Sequence, residues 1–372
     1  MLNTITKTLF KYQTDNGDEK PSPNILPCLQ ELALLFKKEG VHCELQKYQV
    51  GNNKDVHTNL LAFNPELTPP YILLQGHIDT VPFNQPYQFK ITNNSIAGRG
   101  AVDMKGPLAG MIQAFIELYK KDYKYPPALL ITGDEEANSF AGIKEFLKKK
   151  NFPILFAING EPTNFSVGLK FYGIMGYSLE KKGLGGHSAS LKNDFLIEQS
   201  IPAIQAIENF IKKSRKIENK NFGKTIGAFT VINSGQKSNQ LPEYFKVAWN
   251  LRIVRESKNY ERIFQSTIGK IIDSSFSLKS FYYNPMESKL NQNIKSCIKK
   301  GFTKTKISYR EKPIIFFTEA SLLSENNIPT IVCGPGNPDL AHMQANKEII
   351  KVSDINRYTD LIKNIIYEQN NN

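Results

Sequence analysis

Cysteine is scarce in this chain of 372 residues, and the few cysteines lie far apart. No Cys-x-x-Cys pair occurs, so the sequence predicts neither a disulfide framework nor a cysteine zinc site. We expect buried thiols at the four cysteine positions, which are Cys28, Cys43, Cys297 and Cys333.

Long apolar runs are also lacking. No stretch reaches the roughly 18 apolar residues of a membrane span, and residues 1–7 lack the apolar core of a signal peptide. An apolar fraction of 40% and a charged fraction of 22% are ordinary for a globular protein. We therefore expect a cytoplasmic protein with one large domain or two, and with no membrane partner.

The chain has a formal net charge of +12, a charge balance that nucleic-acid-binding proteins often share. Its lysines, however, occur in short clusters such as 148–150 and 212–213 and are not gathered in one arm. No nucleic-acid-binding motif accompanies them. The composition therefore favours a solvated, lysine-rich surface with a mild attraction for acidic substrates, and no nucleic-acid partner.

The first motif at a predicted strand end is Gly-His-Ile-Asp-Thr-Val-Pro, residues 76–82, which follows an apolar run over 71–74. Residues two apart on an extended chain point to the same side, so His77 and Asp79 are expected to be neighbours at the carboxyl end of a buried strand. A histidine whose ring is oriented by a carboxylate is a metal-ligand arrangement. Taken alone, the motif is more simply a capped strand end with a turn, and repetition at other strand ends favours the metal site.

Further predicted strands and turns end in the same way. Each delivers a carboxylate or an imidazole: Asp103 from a glycine-rich loop over 95–106, Asp134, Glu135 and Glu136 after a strand over 128–132, Glu161 after a strand over 154–158, and His342 after a strand over 329–333. Three consecutive carboxylates cost free energy unless cations or protons relieve their repulsion. The alternatives are an acidic residue at a helix N-terminus for Asp103 and an acidic turn that caps a helix over 141–147.

Predicted strands and helices alternate over the first 165 residues, beginning with a helix over 24–39 and strands over 41–50 and 59–63. Residues 166–284, which differ in character, interrupt this alternation. The segment is predicted to contain strand 176–182, helix 198–212, strands 227–233 and 244–254, helix 260–273 and strand 279–283. That order is typical of a ferredoxin-like α+β domain. We therefore expect an α/β protein in which 1–165 and 285–372 form the catalytic domain and 166–284 is inserted.

Together the motifs supply two imidazoles and three carboxylates, a ligand set that suits zinc, cobalt or manganese. The five residues are His77, Asp103, Glu136, Glu161 and His342. A pair of divalent ions needs one carboxylate between them, and we assign Asp103 to that place by hypothesis. Two ions about 3.5–4 Å apart share a water and polarise a carbonyl, so the expected chemistry is hydrolysis. Glu135, adjacent to a ligand, is the expected general base.

The combined motifs resemble the co-catalytic zinc amidohydrolases, a family that includes acetylornithine deacetylase, succinyl-diaminopimelate desuccinylase, aminoacylase and glutamate carboxypeptidase. The resemblance rests on Gly-His-Ile-Asp-Thr-Val-Pro, Gly-Arg-Gly-x-x-Asp-Met-Lys-Gly, Gly-Asp-Glu-Glu, Gly-Glu-Pro-Thr, Gly-Gly-His-Ser, Gly-Pro-Gly and Ala-His, in the right order over nearly the whole chain. It implies a catalytic domain with a central mixed sheet between helices. It also implies an inserted lid through which the enzyme forms a homodimer.

The resemblance also implies a role for each matching residue. His77 and Glu161 would bind one zinc, Glu136 and His342 the other, with Asp103 bridging, Asp79 orienting His77 and Glu135 acting as the acid/base. In the lid, His187 would reach the site of the partner subunit and stabilise the oxyanion. Asn239 and Arg252 would hold the carboxylate of the substrate. Without the resemblance, these three lid residues are a turn histidine, a turn asparagine and a surface strand arginine.

Two positions bear on how far the resemblance extends. The family usually has Asp two residues before the lid arginine, whereas this chain has Asn250, so Arg252 is expected to be held differently. Relatives that act on acylated amino acids resemble this chain in having Glu at position 161, whereas the aminopeptidase-like branch has Asp. The resemblance therefore favours deacylation of an N-acyl amino acid over peptide trimming.

The motifs and their resemblance predict a metal-dependent amidohydrolase. Its expected substrate is N2-acetyl-L-ornithine, and the expected products are ornithine and acetate. The alternatives within the family are a succinyl-diaminopimelate desuccinylase or a related aminoacylase or carboxypeptidase. An alternative from another functional class is a non-catalytic family member that binds a metabolite. Such proteins typically lose metal ligands or the general base.

Overall fold

The structure is a computed structural model that describes residues 1–16, 22–49, 56–82, 88–137, 139–344 and 346–371. The chain divides into two compact units. The first contains Met1–Leu169, Ser288–Lys312 and Thr318–Asn372, and the second contains Lys170–Glu287 and Pro313–Phe317. The predicted insertion, 166–284, does not include the short return segment 313–317, which lies far along the chain from the rest of the second unit.

The helices in chain order are α1 Leu2–Lys11, α2 Ile25–Lys38, α3 Lys105–Tyr119, α4 Ala141–Lys149, α5 Leu196–Ser214, α6 Lys258–Ser266, α7 Gln292–Lys304, α8 Ala320–Glu325 and α9 Val352–Asn370. Two short 3-10 helices cover Ile268–Lys270 and Pro338–Leu340. Among the helices of the described ranges, none has the length and apolar content that crossing a membrane requires.

The strands of the first unit are β1 Cys43–Gln49, β2 Val56–Phe63, β3 Tyr71–His77, β4 Phe89–Ile91, β5 Ser95–Gly98, β6 Pro127–Thr132 and β7 Ile154–Asn159, with β18 Thr330–Val332 and β19 Ile349–Lys351 near the end of the chain. Those of the second unit are β8 Lys170–Phe171, β9 Gly173–Lys182, β10 Gly186–His187, β11 Glu218–Asn219, β12 Gly223–Lys224, β13 Ile226–Ser234, β14 Gln240–Leu241, β15 Tyr244–Ile253, β16 Phe276–Tyr283 and β17 Met286–Glu287.

A six-stranded mixed sheet is the centre of the first unit, in the order β1-β2-β6-β3-β7-β18. β1, β2 and β6 pair antiparallel, whereas β6, β3, β7 and β18 pair parallel. Every residue of β3 and β6 is buried, so both faces of these strands are covered. The predicted mixed sheet between helices is confirmed.

The parallel pairing decides where the functional side chains lie. Because β3, β6 and β7 run in the same direction, their carboxyl ends meet at one edge of the sheet. His77 ends β3, and the acidic runs follow β6 and β7 at that edge. A small antiparallel sheet, β19-β5-β4, lies at the base of the loop that carries Asp103.

The second unit has the predicted ferredoxin-like order of elements. Its four-stranded antiparallel sheet runs β13-β15-β9-β16, and α5 and α6 bury one face of it around Trp249 and Tyr177, whose rings stack at 4.9 Å. The predicted helix 260–273 is shorter than expected. It ends at Ser266, and a 3-10 turn over 268–270 follows Thr267, whose side chain hydroxyl donates to the carbonyl of Ile263.

Most other predicted elements differ from the structure by one to three residues. The loop predicted over 95–106 differs more, because its first four residues form β5 and its end begins α3. Val50, the predicted end of the first strand, lies outside the described residues. The four cysteines are free. The predicted burial is confirmed for Cys28, Cys297 and Cys333 and is wrong for Cys43, which is only partly buried.

Helices α7 and α9 pack against each other at a glycine. A Cβ atom added to Gly301 of α7 would lie 2.6 Å from Cγ1 of Ile365 and 3.0 Å from its backbone nitrogen on α9. These atoms belong to a helix backbone and a β-branched side chain, so they have little freedom to move away. Glycine at this position therefore permits the close approach of the two helices.

We expect Gly301→Ala to destabilise the protein although alanine is the better helix former. Overpacking costs about 1–3 kcal/mol, which exceeds the gain of about 1 kcal/mol in helix propensity. Thermal denaturation of the wild type and the variant would measure the difference. The exposed Ser296 of α7 gives the control, since Ser296→Ala should leave the melting temperature unchanged or slightly higher. An equal rise for both variants would contradict the close packing.

Candidate metal centre

Asp103 lies between two histidines. One of its carboxylate oxygens, Oδ1, lies 3.2 Å from Nε2 of His77, and the other, Oδ2, lies 3.1 Å from Nε2 of His342. Oε1 of Glu161 is 3.5 Å from Nε2 of His77. Oε1 of Glu136 is 3.0 Å from Nε2 of His342. Each end of the cluster therefore has one imidazole and one carboxylate, and Asp103 is common to both.

This donor set fits divalent cations. In the described part of the chain, His77, Asp103 and Glu136 offer ligand atoms that all lie within 4.8 Å of one another. Imidazole nitrogens and carboxylate oxygens are the ligands that zinc, cobalt and manganese accept in proteins. The residues would hold two ions, with His77 and Glu161 at one, Glu136 and His342 at the other, and Asp103 between them.

The crowding of anions is visible in the pKa values. Burial, reinforced by Asp103, raises the pKa of Glu161 to about 7. Burial opposes the protonation of His342, but Asp103 and Glu136 outweigh it and raise the pKa of His342 to about 10. Burial likewise opposes protonation of His77, and Glu161 and the other carboxylates still hold its pKa well above the usual value. The cluster therefore favours added positive charge, which bound cations would supply.

Glu135 lies next to the ligands without belonging to either pair. Burial raises the pKa of Glu135 well above its usual range, since the effect of Glu136 adds to it and that of His77 only partly offsets it. A carboxylate with a raised pKa is a stronger base. The site can therefore accept a proton at Glu135.

Asp79 fixes the surroundings of the first histidine. Nδ1 of His77 lies 2.9 Å from the backbone carbonyl oxygen of Asp79 and 3.5 Å from its carboxylate, so the main chain makes the shorter contact. The carboxylate of Asp79 accepts the backbone N–H groups of Glu135 and Glu136 at 3.3 and 2.9 Å. It also accepts the side chain amide of Asn16 at 3.0 Å. One aspartate thus holds both the imidazole and the turn that follows β6.

Asn16 is a part of the site that the sequence reading missed. Its amide nitrogen also donates to the carbonyl oxygen of Gly133 at 2.8 Å, and its own carbonyl accepts the backbone N–H of Ser22 at 2.7 Å. Only 1% of the residue is exposed. No local motif surrounds it, because its role depends on how the N-terminal segment packs across the strand ends.

In the acidic run after β6, Asp134 has a different role from Glu135 and Glu136. Asp134 is buried and accepts the backbone N–H groups of Ala141 and Gly142 at 2.7 and 3.0 Å, together with the hydroxyl of Tyr48 at 2.8 Å. Asp134 therefore caps α4. The sequence predicts such a cap as an alternative, but as a turn at the surface, whereas Asp134 is buried. Glu135 and Glu136 are the carboxylates of this run that can take part in the metal centre.

A buried polar network lies behind the strand ends, and the sequence reading missed it as well. Glu319, before α8, accepts hydrogen bonds from Gln75 and from the hydroxyl of Thr132, the latter at 2.7 Å. Asn159 donates to Gln75 at 2.5 Å and accepts from Thr318 at 3.2 Å. All five residues are completely buried. They tie β3, β6 and β7 together directly beneath the residues that bear the ligands.

The three predicted lid residues all belong to the second unit. β10 pairs with β14, so His187 lies opposite Gln240, and the backbone carbonyl of Asn239 accepts the N–H of Ser188 at 3.0 Å. Both His187 and Asn239 are exposed. Arg252 lies on β15, partly buried, opposite Ile226 of β13 and Ile174 of β9. The structure therefore brings His187 and Asn239 together and places Arg252 on the central strands of the sheet.

The comparisons with known proteins identify the family. Residues 73–368 match the model of peptidase family M20/M25/M40. A LysW-lysine/LysW-ornithine hydrolase of Saccharolobus islandicus is 30% identical over 300 residues, which covers 76% of this chain and 77% of the relative. An acetylornithine deacetylase of Buchnera aphidicola is 28% identical over 300 residues, covering 73% of this chain and 74% of the relative.

Solved structures share the fold over the whole chain. The di-peptidase Dug1p of Saccharomyces cerevisiae superposes with a TM-score of 0.81 at 11% identity, covering 100% of this chain and 96% of its own. A dinuclear metal-binding peptidase of the M20 family from Bacillus subtilis has a TM-score of 0.60 at 11% identity, covering 98% and 97%. The resemblance read from the motifs is confirmed: this chain belongs to peptidase family M20/M25/M40 and is a metal-dependent amidohydrolase.

Proposed function

We propose that the enzyme removes the acyl group from an N-acylated diamino acid of the ornithine type, with N2-acetyl-L-ornithine as the substrate. The observation that carries this proposal is the cluster in which Asp103 is shared by His77 and His342, with Glu135 beside it. The ornithine part is supported by the two relatives, since both of their names include an ornithine derivative. The acetyl group is supported by resemblance, since Gly-Glu-Pro-Thr and His-x-Asp-Thr-Val-Pro look more like the motifs of acetylornithine deacetylase, whereas desuccinylases more often show Gly-Glu-Pro-Ser.

Two divalent ions, zinc in the first place and cobalt or manganese as substitutes, would polarise the substrate carbonyl and lower the pKa of a shared water. Glu135, which lies beside the ligand pairs without belonging to either, would take a proton from the attacking water and deliver it to the leaving nitrogen. Asp79 keeps the turn that carries Glu135 in place through its two backbone N–H groups. The products are a carboxylate and a free amine.

His187 is proposed to stabilise the oxyanion. Its Nδ1 accepts the backbone N–H of Ala189 at 3.1 Å, so the neutral ring carries its proton on Nε2. That proton is available for donation to a developing negative charge. Asn239, next to it, and Arg252 are proposed to bind the carboxylate of the substrate, as the resemblance implies.

We also propose that the second unit forms a homodimer along β13. This strand lies at the edge of its sheet, and it exposes the apolar side chains of Ile226, Val231 and Ile232. An apolar strand edge exposed to solvent favours pairing with another strand. A second copy of the same strand would bury these side chains symmetrically. The cytoplasmic location stays a prediction of the sequence.

The proposed reaction is tested by measuring amine release after removal of metal and reloading with Zn²⁺ or Co²⁺. N2-acetyl-L-ornithine, N-succinyl-diaminopimelate and other N-acyl derivatives of ornithine and lysine would be compared. We expect the highest kcat/KM with N2-acetyl-L-ornithine and loss of turnover with a chelator. A higher kcat/KM for another acyl group on the same amino acid would contradict the acetyl assignment, and a preference for the diaminopimelate derivative would contradict the ornithine assignment.

Glu135→Gln should lower kcat by about 10²–10⁴-fold, the usual contribution of a general acid or base, while metal content stays the same. Glu145→Gln provides the control, because Glu145 lies on α4 and pairs with Lys149 at 2.7 Å. That variant should retain full turnover. Activity of Glu135→Gln near the wild-type rate would rule out the proposed proton transfer.

The dimer is tested by Ile232→Lys, which places a charge on the most exposed of these three side chains. Light scattering after size exclusion should show a dimer for the wild type and a monomer for this variant. Ile271→Lys is the control, since Ile271 is exposed on the same unit but lies outside β13. A wild-type monomer, or a variant that remains dimeric, would contradict pairing along this strand.

A further inference from the structure

A buried ion pair lies at the junction of two ligand-bearing segments. Arg99 is 4% exposed and Glu348 is 0% exposed, and Nη1 of Arg99 lies 2.6 Å from Oε2 of Glu348. Arg99 follows β5 directly and opens the loop that carries Asp103, whereas Glu348 follows the segment that carries His342. Burying two charges costs solvation free energy, so contacts beyond the pair itself should explain its presence.

Glu348 fixes the backbone of the Asp103 loop. Its Oε1 accepts the backbone N–H groups of Gly100, Val102 and Asp103 at 2.9, 3.1 and 3.3 Å. A carboxylate that accepts several backbone N–H groups makes strong, charge-assisted hydrogen bonds. The bridging residue is therefore held at its own backbone nitrogen by a side chain from the other end of the chain.

Arg99 extends this contact to the second histidine. Its Nη2 lies 3.5 Å from the backbone carbonyl oxygen of His342, while its Nη1 holds Glu348. His342 itself has a φ of 61°, a left-handed conformation that costs free energy and needs support from its surroundings. The planar fork of arginine reaches both acceptors at once, which a single ammonium group does not do.

The first histidine does not depend on this pair. His77 ends a central strand, and its ring contacts Asp79, which Asn16 holds from the other side. Glu161 follows β7, next to β3 in the same sheet. One end of the cluster is thus fixed by the sheet, whereas the other depends on two loops that meet through Arg99 and Glu348.

We propose that Arg99 and Glu348 are positioning residues that set the spacing between Asp103 and His342 and so control the affinity of the ion held by Glu136 and His342. The proposal rests on the two-ion centre described above. Because Asp103 is common to both ions, loss of the pair should weaken both, but the second more than the first, which keeps His77 and Glu161 on the sheet. The fall in affinity should be about 10–100-fold, the usual effect of removing a residue that orients a metal ligand.

The test is a Co²⁺ titration of protein stripped of metal, followed by visible absorption and by calorimetry, which count the ions and give both dissociation constants. We expect two ions in the wild type. In Glu348→Gln one of the two oxygens becomes an N–H donor, which would face either the guanidinium of Arg99 or the backbone N–H groups of the loop, and the remaining oxygen would be a neutral acceptor. The second ion should bind about 10–100-fold more weakly, and its absorption bands should return at higher Co²⁺.

Two further variants separate positioning from a general loss of stability. Arg99→Lys keeps the charge but not the fork, so it should weaken the second ion less than Glu348→Gln and serves as the test if the latter does not fold. Glu368→Gln is the matched control: Glu368 is 7% exposed and pairs with Lys300 and Lys304 on α7. It should lower the melting temperature and keep both ions.

The outcomes distinguish the two levels of the proposal. Two ions of wild-type affinity in both Glu348→Gln and Arg99→Lys would overturn the positioning role and leave the metal centre standing. An equal loss of both ions would also contradict it, because the sheet should retain the first. Fewer than two ions in the wild type would contradict the two-ion centre itself.

Discussion

The carboxylate of Asp103, shared between two imidazoles, is the interaction on which the site depends. Its two oxygens lie 3.2 and 3.1 Å from the Nε2 atoms of His77 and His342, two residues that lie far apart along the chain. Because Asp103 contacts both imidazoles, it joins the two ends of the cluster. The parallel strands, the small sheet that contains β5 and the segment after β18 bring these three residues together.

The same arrangement concentrates negative charge at one edge of the sheet. Asp79 and Glu319 add further buried carboxyl groups behind the ligands, and burial holds the pKa of Glu319 well above its usual range. Hydrogen bonds from Asn16, Gln75 and Thr132 meet these groups. The protein therefore tolerates the crowding through a polar layer beneath the site and through the positive charge that the site would bind.

The sequence was sufficient to single out the residues that the structure brings together, because each follows a strand or tight turn, where period-two patterning and glycine leave a clear local signal. It was insufficient for Asn16 and Glu348, whose partners lie far along the chain and leave no pattern around them. Arg99 stood inside a recognised motif without an assignable partner. Asp134 shows a further limit, since the sequence indicated both a metal site and a helix cap for the acidic run but did not show which carboxylate makes the cap.

The most direct test of this account is a crystal structure of the protein grown with Zn²⁺, with anomalous diffraction measured at the zinc edge. The account predicts two anomalous peaks about 3.5–4 Å apart with the carboxylate of Asp103 between them. His77 and Glu161 should contact one peak, and Glu136 and His342 the other. A single peak, or two peaks that Asp103 does not bridge, would contradict the shared carboxylate as the centre of the site.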